Sequence, residues 1–191
     1  MSHKLFIYIL LISSHFVSVI QAQNEIDYNY LEIGYGQLDL NRSVSANGIY
    51  LDGSIGISEQ LYLGAHYENR ADQGLDFDRY DLTFGFHTNG IGSTDFYFDA
   101  RVGKFKYDNV DGNSSGLFAG SRSALGERFE LITKLGLIHV EGIDHEDGDS
   151  INFYEASIKG LYKFTEKQAL SLSLEGFDGD IGGRIGYRFS F

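Results

Sequence analysis

The densest group of residues that could bind a metal ion lies between Glu141 and Asp149, in the stretch EGIDHEDGD. Its carboxylates are oxygen ligands of the kind that Ca²⁺ and Mg²⁺ prefer. Four of them form a candidate weak cation-binding loop: Asp144, Glu146, Asp147 and Asp149. The spacing differs from that of a calcium-binding loop, because Gly148 stands at the third ligand position counted from Asp144. A solvated acidic loop is the simpler interpretation, and no dedicated metal site is predicted.

Two histidines and two aspartates could supply an Asp–His pair for hydrolysis. They are His139, His145, Asp76 and Asp78. A general base needs its partner within hydrogen-bond reach, and neither histidine has a partner at a diagnostic spacing. The sequence therefore predicts no enzymatic activity and no cofactor.

A larger set of charged residues alternates with apolar residues along most of the chain. Eight are carboxylates: Glu32, Asp52, Glu68, Asp81, Asp99, Glu130, Glu155 and Glu175. Seven are bases: Arg70, Arg101, Arg122, Lys134, Lys159, Arg184 and Arg188. Charges that are removed from water are costly unless they are paired. The near balance of the two sets therefore predicts an ion-pair network inside a narrow, enclosed space.

The chain that carries these residues begins with the pattern of a secretory signal peptide over residues 1–22. Lys4 supplies the positive charge, Leu5–Ile12 form an apolar run, and Ala22 is the small residue that a signal peptidase needs. The run is too short for an anchoring helix, which requires about 20 residues. We expect export through the inner membrane and cleavage, which leaves one domain, residues 23–191.

The composition is typical of a strand-rich protein with many turns. The sequence contains 24 Gly, 13 Tyr and 15 Phe, but no Pro, Trp or Cys. The lack of cysteine excludes a disulfide scaffold and a zinc–thiolate site, and no later segment has the 18 or so consecutive apolar residues of a membrane-spanning helix. The formal net charge of −12 argues against nucleic acid as a partner.

From Tyr28 onward the sequence alternates between apolar and polar residues in ten runs, each ended by a turn signal. Most runs have the length that a tilted strand needs to cross a bilayer. The predicted strands are 28–38, 48–57, 61–70, 79–87, 94–106, 115–124, 129–141, 151–163, 169–177 and 181–191. The sequence predicts an all-β fold, a closed antiparallel transmembrane β-barrel of ten strands, with eight strands as the alternative.

A soluble periplasmic β-sandwich that binds a ligand would also alternate, but it would bury the apolar face. Two features favour the membrane barrel over this third class. The first is the charge balance of the polar face. The second is that short links (58–60, 88–93, 125–128 and 164–167) alternate with a mostly longer set (39–47, 71–78, 107–114, 142–150 and 178–180), as periplasmic turns alternate with extracellular loops. The longer set holds 12 acidic residues and one base, Arg42, so divalent cations could bridge this rim to lipopolysaccharide phosphates.

The chain ends on alternating aromatic residues, Tyr187, Phe189 and the terminal Phe191. This is the ending that the barrel-assembly machinery is understood to recognise. Together with DYNYLEIGY at 27–35 and GLDFDRY at 74–80, it resembles short outer-membrane barrel proteins, some of them quorum-regulated or virulence-associated. The chain is also similar in kind to the OmpX and OmpA barrels, which have eight strands. The resemblance covers the mature chain and implies an outer-membrane location, contact with outer-membrane lipid, and no catalytic residues.

The polar face also carries residues that predict a filled interior. Nine glycines leave room for Arg and Tyr side chains across a narrow barrel: Gly34, Gly36, Gly56, Gly64, Gly85, Gly103, Gly120, Gly136 and Gly186. Four bulky tyrosines should obstruct it: Tyr30, Tyr50, Tyr62 and Tyr97. His66 and His87 lie on the same face of neighbouring strands, where a place in the ion-pair network is a simpler interpretation than proton sensing.

The expected function follows from the filled interior. Eight-stranded barrels are filled by side chains, whereas 16 or more strands leave a water channel. We therefore expect a largely plugged barrel with a structural, adhesive or surface-interaction role. The alternative is a narrow channel for small cations or solutes. The ten-stranded omptin proteases carry their site on strands that extend far above the membrane, and this chain is expected to be too short for that.

Overall fold

The computed structural model describes residues 26–40, 44–72, 75–89, 92–107, 110–141 and 150–191. Neighbouring strands are antiparallel throughout, and the first pairs with the last, which closes the sheet into a barrel. The strands are β1 (Tyr30–Leu40), β2 (Val44–Gly56), β3 (Leu61–Asp72), β4 (Leu75–Asn89), β5 (Thr94–Tyr107), β6 (Val110–Ala124), β7 (Phe129–Glu141), β8 (Ser150–Thr165), β9 (Gln168–Phe177) and β10 (Asp180–Ser190). The prediction of ten strands rather than eight is confirmed, and the predicted signal peptide lies outside the described residues.

The two ends of the barrel differ. Tyr30 and Ser190 lie at one end, which we call the terminal end. The other end, where β1, β3 and β5 finish and β2, β4 and β6 start, is called the loop end. The predicted long connections there are mostly wrong, because β2, β4 and β6 begin at Val44, Leu75 and Val110 rather than at 48, 79 and 115.

The strands are longer than predicted because apolar and polar residues continue to alternate toward the loop end. There, however, the apolar residues face inward and the polar ones outward. Along the main part of the barrel, outward side chains are apolar and exposed, as at Leu82, Leu117 and Leu172. Near the loop end the outward residues become polar, as at Lys104 and Asn113, and the inward ones become apolar and buried. The main part has the pattern of a membrane barrel, and the loop end has that of a barrel in water.

We call this loop-end zone the collar. Its outward residues include Gln37, Asp39, Asn47, Asn69, Asp78, Lys104, Lys106, Asn113, His139, Glu141 and Asn152. Its inward residues include Leu38, Ala46, Phe77, Phe105, Ile138, Val140, Phe153 and Phe177. The collar therefore continues the barrel beyond the apolar band and surrounds a small hydrophobic core.

Aromatic residues lie at both borders of the apolar band. Below the collar, the rings of Tyr67 and Tyr80 are 5.1 Å apart, and Tyr80 is half exposed. Near the terminal end, the rings of Phe129 and Tyr162 are 5.0 Å apart. Such aromatic girdles mark the two interfaces of transmembrane β-barrels. The described residues contain no helix that is long and apolar enough to span a membrane.

Candidate functional site

The interior of the barrel is the candidate site, and three layers of side chains fill it. An aromatic cluster lies at the loop end, the ion-pair layer occupies the middle, and a short N-terminal segment closes the terminal end. The ion-pair layer contains all fifteen charged residues predicted from the sequence, and each takes part in at least one ion pair.

Glu32 is fully enclosed, with no solvent exposure. Its carboxylate accepts hydrogen bonds from Nζ of Lys159 at 2.9 Å and from Nε of Arg188 at 2.8 Å. The hydroxyls of Tyr50 and Ser171 donate to the same carboxylate at 2.8 and 2.9 Å. These four donors replace the water that the buried charge has lost.

Two glutamates and two arginines form a second group toward the loop end. Arg70 donates from Nε to Glu68 at 2.6 Å and also pairs with Glu175. Arg184 contacts the same two carboxylates, Glu68 at 2.8 Å and Glu175 at 2.7 Å. Each charge therefore has two partners of opposite sign, and such pairing offsets the free-energy cost of removing ions from water.

A third group centres on Arg79, which was not among the fifteen predicted residues. Its guanidinium is buried between Asp81 and Glu155, with Nη1 2.6 Å from the latter. Lys134 also pairs with Glu155. Arg79 was missed because it stood at the predicted start of its strand, where a charge is expected to meet water. Extending the apolar–polar alternation of this strand back to residue 75 would have placed Arg79 on the inward face.

The remaining ion pairs lie closer to the terminal end. Arg101 pairs with Asp99 at 2.9 Å, and Nε of Arg122 is 2.7 Å from Glu130. Lys163, also absent from the predicted set, is 3.7 Å from Glu130. The network thus extends through most of the interior.

The two histidines of the polar face join different carboxylates. His66 is 2.6 Å from Asp52 through Nδ1 and also contacts Glu68. His87 is 3.5 Å from Asp95. His66 therefore lies within the ion-pair layer, whereas His87 lies beside Asp95 and stacks on Tyr28, and the two histidines do not share a partner.

Glycines on the inner wall make room for the large side chains, as the sequence predicted. A Cβ atom at Gly85 would overlap the ring of Tyr62, and one at Gly34 would overlap the ring of Tyr50. One at Gly136 would overlap the ring of Phe118, a lumen residue that the prediction did not name. The inner wall is therefore shaped to the rings that cross it.

The aromatic cluster closes the loop end of the interior. The rings of Phe105, Phe153 and Phe177 lie 5.1–5.6 Å from one another, and Phe77 meets Phe105 and Phe177 edge-on at 5.6 Å. All four are at most 4% exposed. Tyr107 packs on them and donates its hydroxyl to Asp180 at 2.6 Å. The strands continue a few residues beyond the apolar band, and this extension encloses a packed core rather than a cleft.

A segment preceding β1 closes the terminal end. The ring of Tyr28 stacks on His87 with centroids 3.9 Å apart, and it is only 6% exposed. The guanidinium of Arg122 lies 4.4 Å from the same ring and donates to the backbone oxygen of Asp27 at 3.0 Å. Asn29 accepts a hydrogen bond from the backbone of Gly56 at 2.9 Å. We call residues 27–29 the terminal cap.

A polar cavity of about 110 Å³ remains between the two closures. Lys134, Lys159, Arg101, Ser54 and Thr83 are among the residues that line it. On this measure one water needs about 10–15 Å³, so the cavity has room for several waters held by polar side chains.

The other residues singled out from the sequence are not brought together. His139 is on the outer face of the collar, 2.9 Å from Asn152 and 3.3 Å from Glu141. Asp78 accepts a hydrogen bond from Asn69. The four carboxylates of the candidate cation-binding loop and His145 lie outside the described residues. Within the described part of the chain, no group of three or more His, Asp or Glu side chains is placed to hold a metal ion.

Comparison with known proteins gives a fold and no family. No protein-family model matches the chain, and no curated protein sequence does. An outer-membrane channel from Pseudomonas putida F1 has a TM-score of 0.55 at 10% identity, over 91% of this chain and all of that one. The KdgM porin (0.48, 9% identity, 85% of this chain and 99% of that one) and the N-terminal β-barrel domain of Pseudomonas aeruginosa OprF (0.42, 17%, 87% and 100%) also align. At these identities the likeness extends to the barrel fold alone.

Proposed function

We propose that this protein is a non-enzymatic outer-membrane β-barrel that does not conduct and that acts through its collar, in a structural, adhesive or surface-interaction role. The observation that carries the proposal is the packed aromatic cluster across the loop end. Four buried rings fill the described interior at the loop end, above the ion-pair layer. A solute would have to displace this core to pass.

The change of polarity along the strands supports the proposed location. An outward apolar band bordered by aromatic residues suits a bilayer, and a polar collar beyond it suits water. We place the loop end, with its polar collar, on the outer side of the membrane and the terminal end on the periplasmic side. Tyr187 and Phe189 lie on the outer wall, half exposed, beside the last residue, Phe191. This placement supports their proposed recognition by the barrel-assembly machinery.

The collar is the part of the molecule that could meet a partner. Its described outward residues include the acids Asp39, Asp78 and Glu141 and the bases Lys104 and Lys106. They stand on a rigid, closed wall rather than on free loops, which lowers the entropy lost when a partner binds. Outer-membrane lipid and lipopolysaccharide are the nearest partners, with divalent cations bridging acidic groups to phosphates.

Single-channel conductance tests the proposal. Refolded residues 23–191 should give no steady conductance steps in a planar lipid bilayer, with folding verified by a heat-modifiable shift on a gel. Replacing one tyrosine and three phenylalanines of the closures by alanine (Tyr28, Phe77, Phe105 and Phe177) should open a path and produce steps. The matched control replaces outward residues of the same types (Phe84, Phe86, Phe98 and Tyr154) and should stay silent. Steady steps in the unmodified protein would contradict the proposal.

The second candidate is a narrow channel for small cations or solutes. The polar cavity of about 110 Å³ in the middle of the barrel favours it, because a channel needs a polar path at that level. It would require both closures to move. Conductance of the unmodified protein that disappears when residues 27–29 are cross-linked to β4 would support it.

A further inference from the structure

The outer wall of the barrel has a shallow apolar hollow of about 590 Å³ across β4 to β8. Phe84, Phe98, Ala100, Leu117, Ala119 and Leu135 are among the residues that line it. The strand register explains its shape, because Ala100 lies beside Leu117 and Ala119 lies between Phe98 and Leu135. Small side chains therefore form the floor and large ones the walls.

A lysine stands directly above this hollow on the same strand face. Phe98, Ala100, Val102 and Lys104 are successive outward residues of β5, so Lys104 is about 13 Å from Ala100 along the strand. Lys104 is exposed and is the first charged residue that the outer face of β5 presents toward the loop end.

Lys104 differs from the other lysine of the collar in its neighbours. Lys106 lies in register between Asp78 and Asp111, whereas Lys104 lies between Tyr80 and Asn113, which are neutral. No carboxylate among the described residues forms an ion pair with Lys104. Its charge is therefore available to an anion, and Tyr80 and Asn113 add hydrogen-bonding groups at the same level.

We propose that the hollow and Lys104 form a binding site for a phosphorylated lipid of the outer leaflet, one acyl chain lying in the hollow and a phosphate on the Lys104 ammonium. The apolar hollow accounts for the acyl chain, and a lysine without an ion-pair partner among the described residues, at the border of the band, accounts for the phosphate. The inference rests on the proposed outer-membrane location and orientation, and it names the lipid partner of that wall.

Native mass spectrometry of the refolded protein in detergent tests the site with diphosphoryl lipid A as the probe. Lys104→Met should weaken the affinity, read from the bound fraction across a lipid titration, about fivefold, the effect of one lysine at a membrane surface. Lys167→Met, which removes an exposed lysine from the turn between β8 and β9, should leave it unchanged. Ala119→Leu fills the hollow and should also reduce binding, whereas Ala65→Leu adds the same volume to the outer wall of β3 and should not.

The controls separate the possible results. Lipid A without phosphates should bind as weakly to the unmodified protein as diphosphoryl lipid A binds to Lys104→Met, and inorganic phosphate should not compete at equal concentration. Equal binding to Lys104→Met and Lys167→Met, competition by inorganic phosphate, or a dimer in place of the lipid complex would overturn the site. A barrel that binds no lipid A but stays silent in a planar bilayer would refute this inference and leave the proposed function standing.

Discussion

Arg79 is the residue on which the third ion-pair group depends. It is 3% exposed, and its guanidinium is the only ion-pair partner that the described residues give to Asp81. Glu155 keeps Lys134 when Arg79 is removed, but Asp81 keeps none. An uncompensated buried charge is one of the few single changes that cost several kcal/mol.

We predict that Arg79→Met lowers the free energy of unfolding by about 3–5 kcal/mol. Arg128→Met, in the exposed turn between β6 and β7, should change it by less than about 0.5 kcal/mol. Urea titration of both variants in lipid vesicles, followed by the heat-modifiable gel shift, measures the difference. Similar small losses in the two variants would show that the ion-pair layer does not stabilise the barrel.

Among individual side chains of the interior, the sequence predicted the charged ones well and the apolar ones poorly. Alternation alone identified fifteen charged lumen residues, because period two fixes the face of every residue once one is known. Phe77 and Phe105 were missed for a physical reason. Both side chains face inward, but an inward phenylalanine does not fit a barrel whose interior is polar along its whole length. It fits only when the loop end is a barrel in water with an apolar interior.

The hairpin of β9 and β10 shows how local chemistry sets an element. Asp178 and Gly179 form a two-residue turn in which both residues have positive φ, 45° and 100°. Asp-Gly is the sequence that favours such a turn. Partial burial, and then the negative charge of Asp180, raise the pKa of the Asp178 carboxyl above its ordinary value of 3.8.

Two substitutions in this turn should act in opposite directions. Gly179→Ala places a side chain at a φ that only glycine tolerates well and should cost about 1–3 kcal/mol. Asp178→Asn keeps a residue that accepts positive φ and removes the ionisable group.

The pH dependence of stability determines whether Asp178→Asn stabilises or destabilises the protein. Because folding raises the pKa of Asp178, its ionised form is less stable in the folded state, and the stability of the unmodified protein falls as pH rises through that range. Asn lacks this loss, so Asp178→Asn should be more stable than the unmodified protein by about a few tenths of a kcal/mol at pH 7 and equal to it at pH 3. Urea titrations at the two pH values test this, and a constant difference between the two proteins would contradict it.

The number of strands and their central residues followed from the sequence, but their loop-end limits did not. Prediction stopped β1 at 38 and started β2 at 48, where Asp39, Asn47 and the neighbouring polar residues resemble a loop. The structure pairs Asp39 with Ser45 and Leu38 with Ala46. Polar residues that face water on a strand and those of a loop have the same composition, so only the buried partner, Leu38, distinguishes them.

For the whole molecule, the border between the apolar band and the collar fixes how the barrel sits in a bilayer. An arginine on a lipid-facing strand costs about 2–4 kcal/mol at the middle of the bilayer and about 0–1 kcal/mol near its surface. Leu172 is central in the band and 65% exposed, and Asn113 is in the collar.

Leu172→Arg should therefore lower the free energy of unfolding in lipid vesicles by about 2–4 kcal/mol, and Asn113→Arg by no more than about 1 kcal/mol. Both residues are exposed on the outer wall, so neither change disturbs the interior. Urea titration in vesicles gives the two values. Equal losses would indicate that both residues lie at the same depth in the bilayer. That result would contradict the placement of the collar in water.

The collar also has a consequence for the thickness of bilayer that suits this protein. Most strands present about four outward apolar residues before the first polar one, as with Phe96, Phe98, Ala100 and Val102 before Lys104 on β5. On tilted strands this gives a band of roughly 20 Å. A hydrocarbon core of about 30 Å would draw Lys104 and its neighbours into the acyl chains or have to thin around the barrel. Because each ångström of mismatch carries a cost, the hydrophobic height of its wall makes the barrel most stable in a thin membrane.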